Sequence, residues 1–316
     1  MSRIHEALKR AEQERAAGQT APKNERQAEQ AIASSVIEAV PPASNISPQA
    51  VFPHLQAART EAERVSDPVQ FDGLWAKCAQ VQWKPDSAAI VFRNADPFYP
   101  GTEQFRTLRS RLYRIRESQP LQTVLISSAI PAEGKTMVSS NLAFALVRQA
   151  GCRVLLIDAD LRSPRVHTLL GAPAAPGLAD YLQGTATEFK VVQRSSEDGL
   201  CFIPAGNHVT HPSELISSDR MKQFLDRLRP AFDWIIIDSP PAIPVADASV
   251  LGGLVDGVLF VVRANSTPSE ASQRACKELR DAHILGVVLN NAEESNGYNS
   301  YYSGSNYGNT PDNAKK

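Results

Sequence analysis

Cysteine is scarce and scattered. Cys78, Cys152, Cys201 and Cys276 are the four in 316 residues, with no CxxC pair and no metal-ligand spacing. That excludes a disulfide framework and a thiolate metal centre, and the four are read as reduced thiols of a cytosolic protein. Long apolar runs are missing too. Val258 to Val262 is of strand length, and nothing approaches the ~20 residues a membrane helix needs. Any membrane contact is therefore expected through a partner or a surface helix. The formal net charge is −1, which gives no general pull toward nucleic acid. The N-terminus, MSRIHEALKR, is charged from residue 3 and lacks the apolar stretch of a secretory signal.

Tyrosine is unevenly spread. Four of seven lie in the last nineteen residues: Tyr298, Tyr301, Tyr302 and Tyr307, among Gly, Ser and Asn. Tyrosine is normally a half-buried residue, so a polar stretch unable to pack is an odd place to concentrate it. Accessible phenols suit a segment that something must reach and modify.

The chain divides by composition. Residues 1–16 read as a short amphipathic helix with Ile4, Ala7, Leu8 and Ala11 at helical spacing. Alone such a helix is marginal; it either docks on its own domain or serves a partner. Residues 17–70, rich in Ala, Gln, Glu, Pro and Ser, read as a mostly disordered linker, and from Phe71 to about Tyr99 order is expected to return on a weak pattern. Residues 95–292 are expected to form one domain and 293–316 a flexible tail. Within the domain a helix is expected over Thr102 to Ile115. Apolar strand runs then alternate with helical runs: Thr123–Ser127, Arg153–Ile157, Leu200–Pro204, Trp234–Asp238, Gly257–Arg263 and Ile284–Asn290. Thr267-Pro268-Ser269-Glu270 reads as a capping box opening the helix before the last strand. Short continuous apolar strands joined by helices imply a doubly wound α/β domain, its mainly parallel sheet covered by helices on both faces and its ligands at the carboxyl ends of the strands.

Those carboxyl ends carry the chemistry. The first strand runs into Ser128-Ala129-Ile130-Pro131-Ala132-Glu133-Gly134-Lys135-Thr136, followed by a helix from Met137. Strand, loop, GK[ST], helix is the P-loop arrangement, whose backbone N–H groups cradle phosphate. Ala132, Glu133, Gly134, Lys135, Thr136 and Met137 are therefore expected around the phosphates. Lys135 would neutralise charge and the Thr136 hydroxyl would hold Mg²⁺. One departure is visible: the first glycine of GxxxxGK[ST] is Ala129. A second strand leads into Asp158-Ala159-Asp160, and a third, Trp234 to Ile237, ends in Asp238-Ser239-Pro240-Pro241. An apolar strand ending in Asp is the Walker B pattern, which helps hold Mg²⁺. The guanine-reading [NT]KxD motif is absent from the C-terminal strand region, so ATP is the expected nucleotide. Asn290 and Asn291 end the last strand, either to read a base or as a plain turn.

The order PAEGKT, LLIDADLRSPR, WIIIDSPP resembles the bacterial tyrosine kinases of capsule and exopolysaccharide synthesis over roughly residues 95–310. The resemblance extends to Glu103-x-x-Arg106-x-x-Arg109, which matches that family's ExxRxxR helix, and to the tyrosine-rich tail. The MSRIHEALKRAEQER start is similar to stand-alone members that work beside a separate membrane protein. Partitioning and septum-placing ATPases share the loop type but carry an extra lysine early in it; Ile130 stands there in this chain.

The resemblance implies an ATP- and Mg²⁺-dependent autokinase. Asp158 would accept the phenol proton, Asp160 and Asp238 would hold Mg²⁺ with Thr136, and Tyr298, Tyr301, Tyr302 and Tyr307 would accept phosphate. Read from charge alone, Glu103, Arg106 and Arg109 share one helix side as a solvated face; the family implies an oligomer interface in a ring whose tails reach neighbouring subunits. It also implies a separate membrane polysaccharide co-polymerase as activator, a tyrosine phosphatase, and a cytoplasmic place at the inner membrane through that partner. The rival readings are a partitioning-type ATPase switch with the tail as incidental disorder, and a non-catalytic nucleotide-binding regulator; separately, the tail could serve as a sticky aromatic assembly segment, which needs no kinase.

Overall fold

Every central strand alternates its side chains between two apolar cores, and this period of two sets the architecture. Val124 and Ile126, Val154 and Leu156, Trp234 and Ile236, and Leu259 and Val261 face one core. Leu125, Leu155 and Ile157, Ile235 and Ile237, and Val258 and Phe260 face the other. A sheet apolar on both faces must be covered on both, and helices do so. The computed structural model describes residues 68–93, 100–195 and 199–292. The expected helix at 1–16, most of the 17–70 segment and the 293–316 tail lie outside the described residues.

The elements, in chain order, are α1 (Phe71–Lys77), β1 (Ala79–Gln80), α2 (Pro100–Ser118), β2 (Thr123–Ser128), α3 (Lys135–Val147), β3 (Val154–Asp158), α4 (Val166–Leu170), α5 (Leu178–Leu182), α6 (Glu188–Val191), β4 (Gln193–Arg194), β5 (Leu200–Ile203), α7 (Pro212–Ile216), α8 (Asp219–Leu228), β6 (Trp234–Asp238), α9 (Asp247–Gly252), β7 (Gly257–Arg263), α10 (Ser269–Glu278) and β8 (Ile284–Asn290). The sheet order is β1-β4-β5-β3-β6-β2-β7-β8. From β5 to β8 every pair is parallel; β4 alone runs antiparallel to β5. The P-loop strand β2 thus lies between β6 and β7, with β3 beyond β6. At the far edge, Val287 and Leu289 of β8 are exposed. Among the described residues no helix is long and apolar enough to cross a membrane.

α3 is buried along almost its whole length, with Leu142, Ala143, Phe144, Ala145 and Leu146 fully inaccessible. A helix apolar all round must be an internal one, and α3 lies between the sheet and α2. α8 is amphipathic and buries Met221, Phe224, Leu225 and Leu228 against the opposite core.

Folded structure begins ahead of residue 95, in the stretch from Phe71 where the sequence pattern is weak. Leu74 and Ile90 are fully buried, the Trp83 ring meets Phe202 edge to face at 6.0 Å, and β1 pairs with β4. One departure from expectation is the capping box at Thr267–Glu270, which does not form. α10 starts at Ser269, Pro268 occupies its N-cap position, and no side-chain cap bond is made. The Thr267 hydroxyl is taken instead by the Glu133 carboxylate and by the Arg263 N–H, which donates to it at 3.0 Å.

Candidate active site

β2 ends at Ser128 and α3 begins at Lys135, so the loop between them turns the chain back into a helix within six residues. Gly134 makes this possible with φ +96°. A Cβ there would land on the Asn290 amide nitrogen, so glycine is required on both backbone and packing grounds. Ala132 also takes a left-handed φ of 64°. Ala129, at the first-glycine position, is buried and is not among the residues with positive φ. Its methyl therefore costs no backbone strain, and its carbonyl accepts from the Ile243 N–H at 3.3 Å.

Three carboxylates meet beside this loop because parallel register aligns the strand ends. Asp158 of β3 is the register partner of Asp238 of β6, and both are buried. Thr136, in the first turn of α3, donates its hydroxyl to Asp238 Oδ2 at 2.8 Å. Asp238 Oδ1 is buried and has no hydrogen-bond partner. Burial pushes the Asp238 carboxyl up to about 7, with the Asp160 charge adding to it and Thr136 and Lys135 opposing. Burial also raises Asp158 well above the usual carboxylate range, the Asp238 charge adding to it. Asp158 accepts from the N–H groups of Asp160 at 3.2 Å, Arg165 at 3.2 Å and Val166 at 3.1 Å, which fixes the turn after β3. Asp160 is less buried and accepts from Arg162 N–H at 3.3 Å and Ser163 N–H at 3.0 Å. Lys135 is buried; desolvation pulls its ammonium down, opposed by Asp238, Asp160 and Glu133.

The sequence-expected residues Lys135, Thr136, Asp158, Asp160 and Asp238 are thus brought together. Asn290 reaches the same loop from β8, its amide donating to the Glu133 carbonyl at 2.9 Å. Met137 packs its side chain against the core. Of the expected interface set, Glu103 and Arg106 form an exposed ion pair, while Arg109 donates to the Ala145 carbonyl of α3 at 2.8 Å. The four tail tyrosines lie outside the described residues.

One cluster went unread in the sequence. Arg162 grips the buried Asp247 carboxylate, Nε to Oδ2 at 2.9 Å, and its guanidinium donates to Ser213 Oγ at 2.7 Å. Ser213 in turn donates to Asp247 Oδ1 at 2.5 Å. These bonds tie the loop bearing Asp160 to α7 and α9. Arg162 lies within the LRSPR run, but its partners are 51 and 85 residues away, beyond any local pattern.

The site suits a hard divalent cation. The orphaned Asp238 Oδ1, the Thr136 hydroxyl and the Asp160 carboxylate are all oxygen donors. Among the described residues no group of three or more His, Cys, Asp or Glu is arranged to hold a metal alone. Mg²⁺ is commonly held this way, by one or two carboxylates together with substrate phosphates and water.

A family model described as an AAA domain (AAA_31) matches residues 124–270. The chain is 35% identical over 202 residues to tyrosine-protein kinase YwqD of Bacillus subtilis (strain 168), covering 63% of this chain and 85% of YwqD. It is 32% identical over 253 residues to the succinoglycan biosynthesis transport protein ExoP of Rhizobium meliloti (strain 1021), covering 78% of this chain but 30% of ExoP. The kinase domain of Escherichia coli tyrosine kinase ETK superposes with a TM-score of 0.62 at 31% identity, over 68% of this chain and 83% of that domain. With the phosphate loop, the paired strand-end carboxylates and these likenesses together, the chain belongs to the bacterial tyrosine-protein kinases.

Proposed function

We propose that this kinase transfers the γ-phosphoryl group of ATP to the tyrosines of its own C-terminal segment, Tyr298, Tyr301, Tyr302 and Tyr307, and so regulates exopolysaccharide synthesis and export. The observation that carries the reading is the meeting of Lys135, Thr136, Asp158, Asp160 and Asp238 at the mouth of the phosphate loop. Phosphoryl transfer needs positioning and charge stabilisation more than covalent help. Backbone N–H groups from Ala132 to Met137, with the N-terminus of α3, would hold the phosphates. Lys135 offsets their charge. Thr136, Asp160 and the free oxygen of Asp238 would hold Mg²⁺, which would supply charge neutralisation to the phosphates.

A phenol with a pKa of about 10 is a poor nucleophile at neutral pH. Asp158, whose proton affinity is raised by burial and by Asp238, is assigned as the group that orients the hydroxyl and takes its proton. Residues 95–292, with 68–93 packed on their edge, are assigned as the kinase domain and 293–316 as substrate. The tail reaches a neighbouring subunit in a ring to which Glu103, Arg106 and Arg109 contribute. Each phosphate adds about −1.5 to −2 charges, so accumulated phosphates loosen that ring and a tyrosine phosphatase restores it. A separate membrane polysaccharide co-polymerase recruits the kinase to the inner membrane and activates it.

Intact-mass measurement of the full chain, before and after phosphatase, tests the reading. Losses in single-phosphate steps mapped to residues 298–307 are expected, and Lys135→Met removes them while the protein stays folded. Unchanged phosphotyrosine in Lys135→Met would sink the assignment.

A further inference from the structure

Glu133 presents a problem for a phosphate loop. It is a carboxylate in the middle of a segment that must attract anions, and it is 1% exposed. Facing the phosphates, it would repel them. The structure shows where its oxygens go instead. One accepts the Ile130 N–H at 2.7 Å, closing the loop on itself. The other accepts the hydroxyl of Thr267, from the segment between β7 and α10. The Glu133 carbonyl accepts the amide of Asn290, the last residue of β8. Next to it, the Ala132 carbonyl accepts from Arg263, at the end of β7, at 3.3 Å. Ala132 itself holds a left-handed backbone, which a non-glycine residue keeps only when its surroundings impose it.

We propose that Thr267 and Asn290 are positioning residues for the nucleotide: they pin Glu133 away from the phosphates and hold the N–H groups from Ala132 to Thr136 in their binding arrangement before the ligand arrives. The inference rests on the nucleotide-binding reading above. Preorganisation of this kind raises affinity by removing the cost of ordering the loop on binding. Without the Thr267 hydroxyl, a buried carboxylate oxygen loses its donor, which is unfavourable, and the side chain turns toward the anion site. Loss of a hydrogen bond to a charged group corresponds to roughly tenfold or more in binding.

The test is calorimetric titration of the full chain with Mg²⁺–ADP and Mg²⁺–ATP, with ATP kinetics on tail phosphorylation alongside. Thr267→Val is expected to weaken both nucleotides about tenfold and raise KM far more than it lowers kcat. Thr267→Ser, which restores the hydroxyl, is expected to return both to near the original values. Asn290→Ala is expected to weaken binding in the same direction, and it decides the matter if Thr267→Val fails to fold. Wild-type affinity in folded Thr267→Val, or no rescue by Thr267→Ser, overturns the inference and leaves the nucleotide reading standing. No ATP binding by the unsubstituted chain would overturn both.

Discussion

Asp158 and Asp238 face each other across the β3–β6 pairing at the last shared register position, both shut off from water. Two carboxylates so placed cannot both ionise cheaply, and the consequence is a pH-dependent stability. The folded Asp238 carboxyl lies near 7, raised from 3.8, and Asp158 is raised as well. A raised carboxyl binds its proton more tightly folded than unfolded. It therefore contributes its full stability below about pH 4 and loses it as pH rises toward 7. For Asp238 alone the span is on the order of 4 kcal/mol. Thermal melts of nucleotide-free, Mg²⁺-free protein between pH 4.5 and 7.5 should fall with pH, and Asp238→Asn should flatten the slope. A melt that rises over that range would contradict the arrangement.

Thr136 holds one oxygen of Asp238 and leaves the other unpartnered. Thr136→Val keeps the shape of the side chain and removes the hydroxyl. Nucleotide binding should then lose its Mg²⁺ enhancement, so that titrations with Mg²⁺ and with EDTA give affinities within about threefold of each other. Retention of a large Mg²⁺ effect would show that the cation is held elsewhere.

The two small residues of the loop predict opposite outcomes. Gly134→Ala forces a Cβ onto the Asn290 amide at a positive φ and should abolish measurable nucleotide binding. Ala129→Gly, at the position where the P-loop pattern has glycine, should change stability by no more than about 1 kcal/mol, because the backbone there is already relaxed. Differential scanning calorimetry and nucleotide titration read both.

The charged helix α2 separates into two roles. Arg109 ties α2 to the Ala145 carbonyl, so Arg109→Ala should cost roughly 1–2 kcal/mol of stability. The exposed Glu103–Arg106 pair contributes little to the isolated subunit. Glu103→Ala with Arg106→Ala should leave the melt in place and shift light-scattering mass toward monomer. A changed melt with unchanged mass would remove this pair from the subunit interface.

Much of this was legible because the informative patterns are local. Trp234–Asp238, Gly257–Arg263 and Ile284–Asn290 match the strands residue for residue, since each is a short apolar run of strand length, whether buried on both faces like β6 or at the sheet edge like β8. The GKT loop and the strand-end aspartates were readable for the same reason. What escaped depends on partners far along the chain. β1 and β4 are two residues each, too short to show a period. Thr267 carried the right residue for a cap, yet its hydroxyl serves a carboxylate 134 residues earlier. Asp247 belongs to no local motif, yet it is the buried anchor of Arg162.

The edge formed by residues 68–93 bears on how the protein is made. Val69 bonds to the Arg227 carbonyl, Phe71 packs on Phe232, β1 pairs with Gln193 and Arg194, and Trp83 rests on Phe202. Each partner is synthesised more than 100 residues later. At roughly 5–20 residues per second, residues 69–83 leave the ribosome many seconds before these partners exist. Phe71, Trp75 and Trp83 wait in water meanwhile. A ribosome stalled before residue 190 should present them to chaperones, and one stalled well past residue 232 should not.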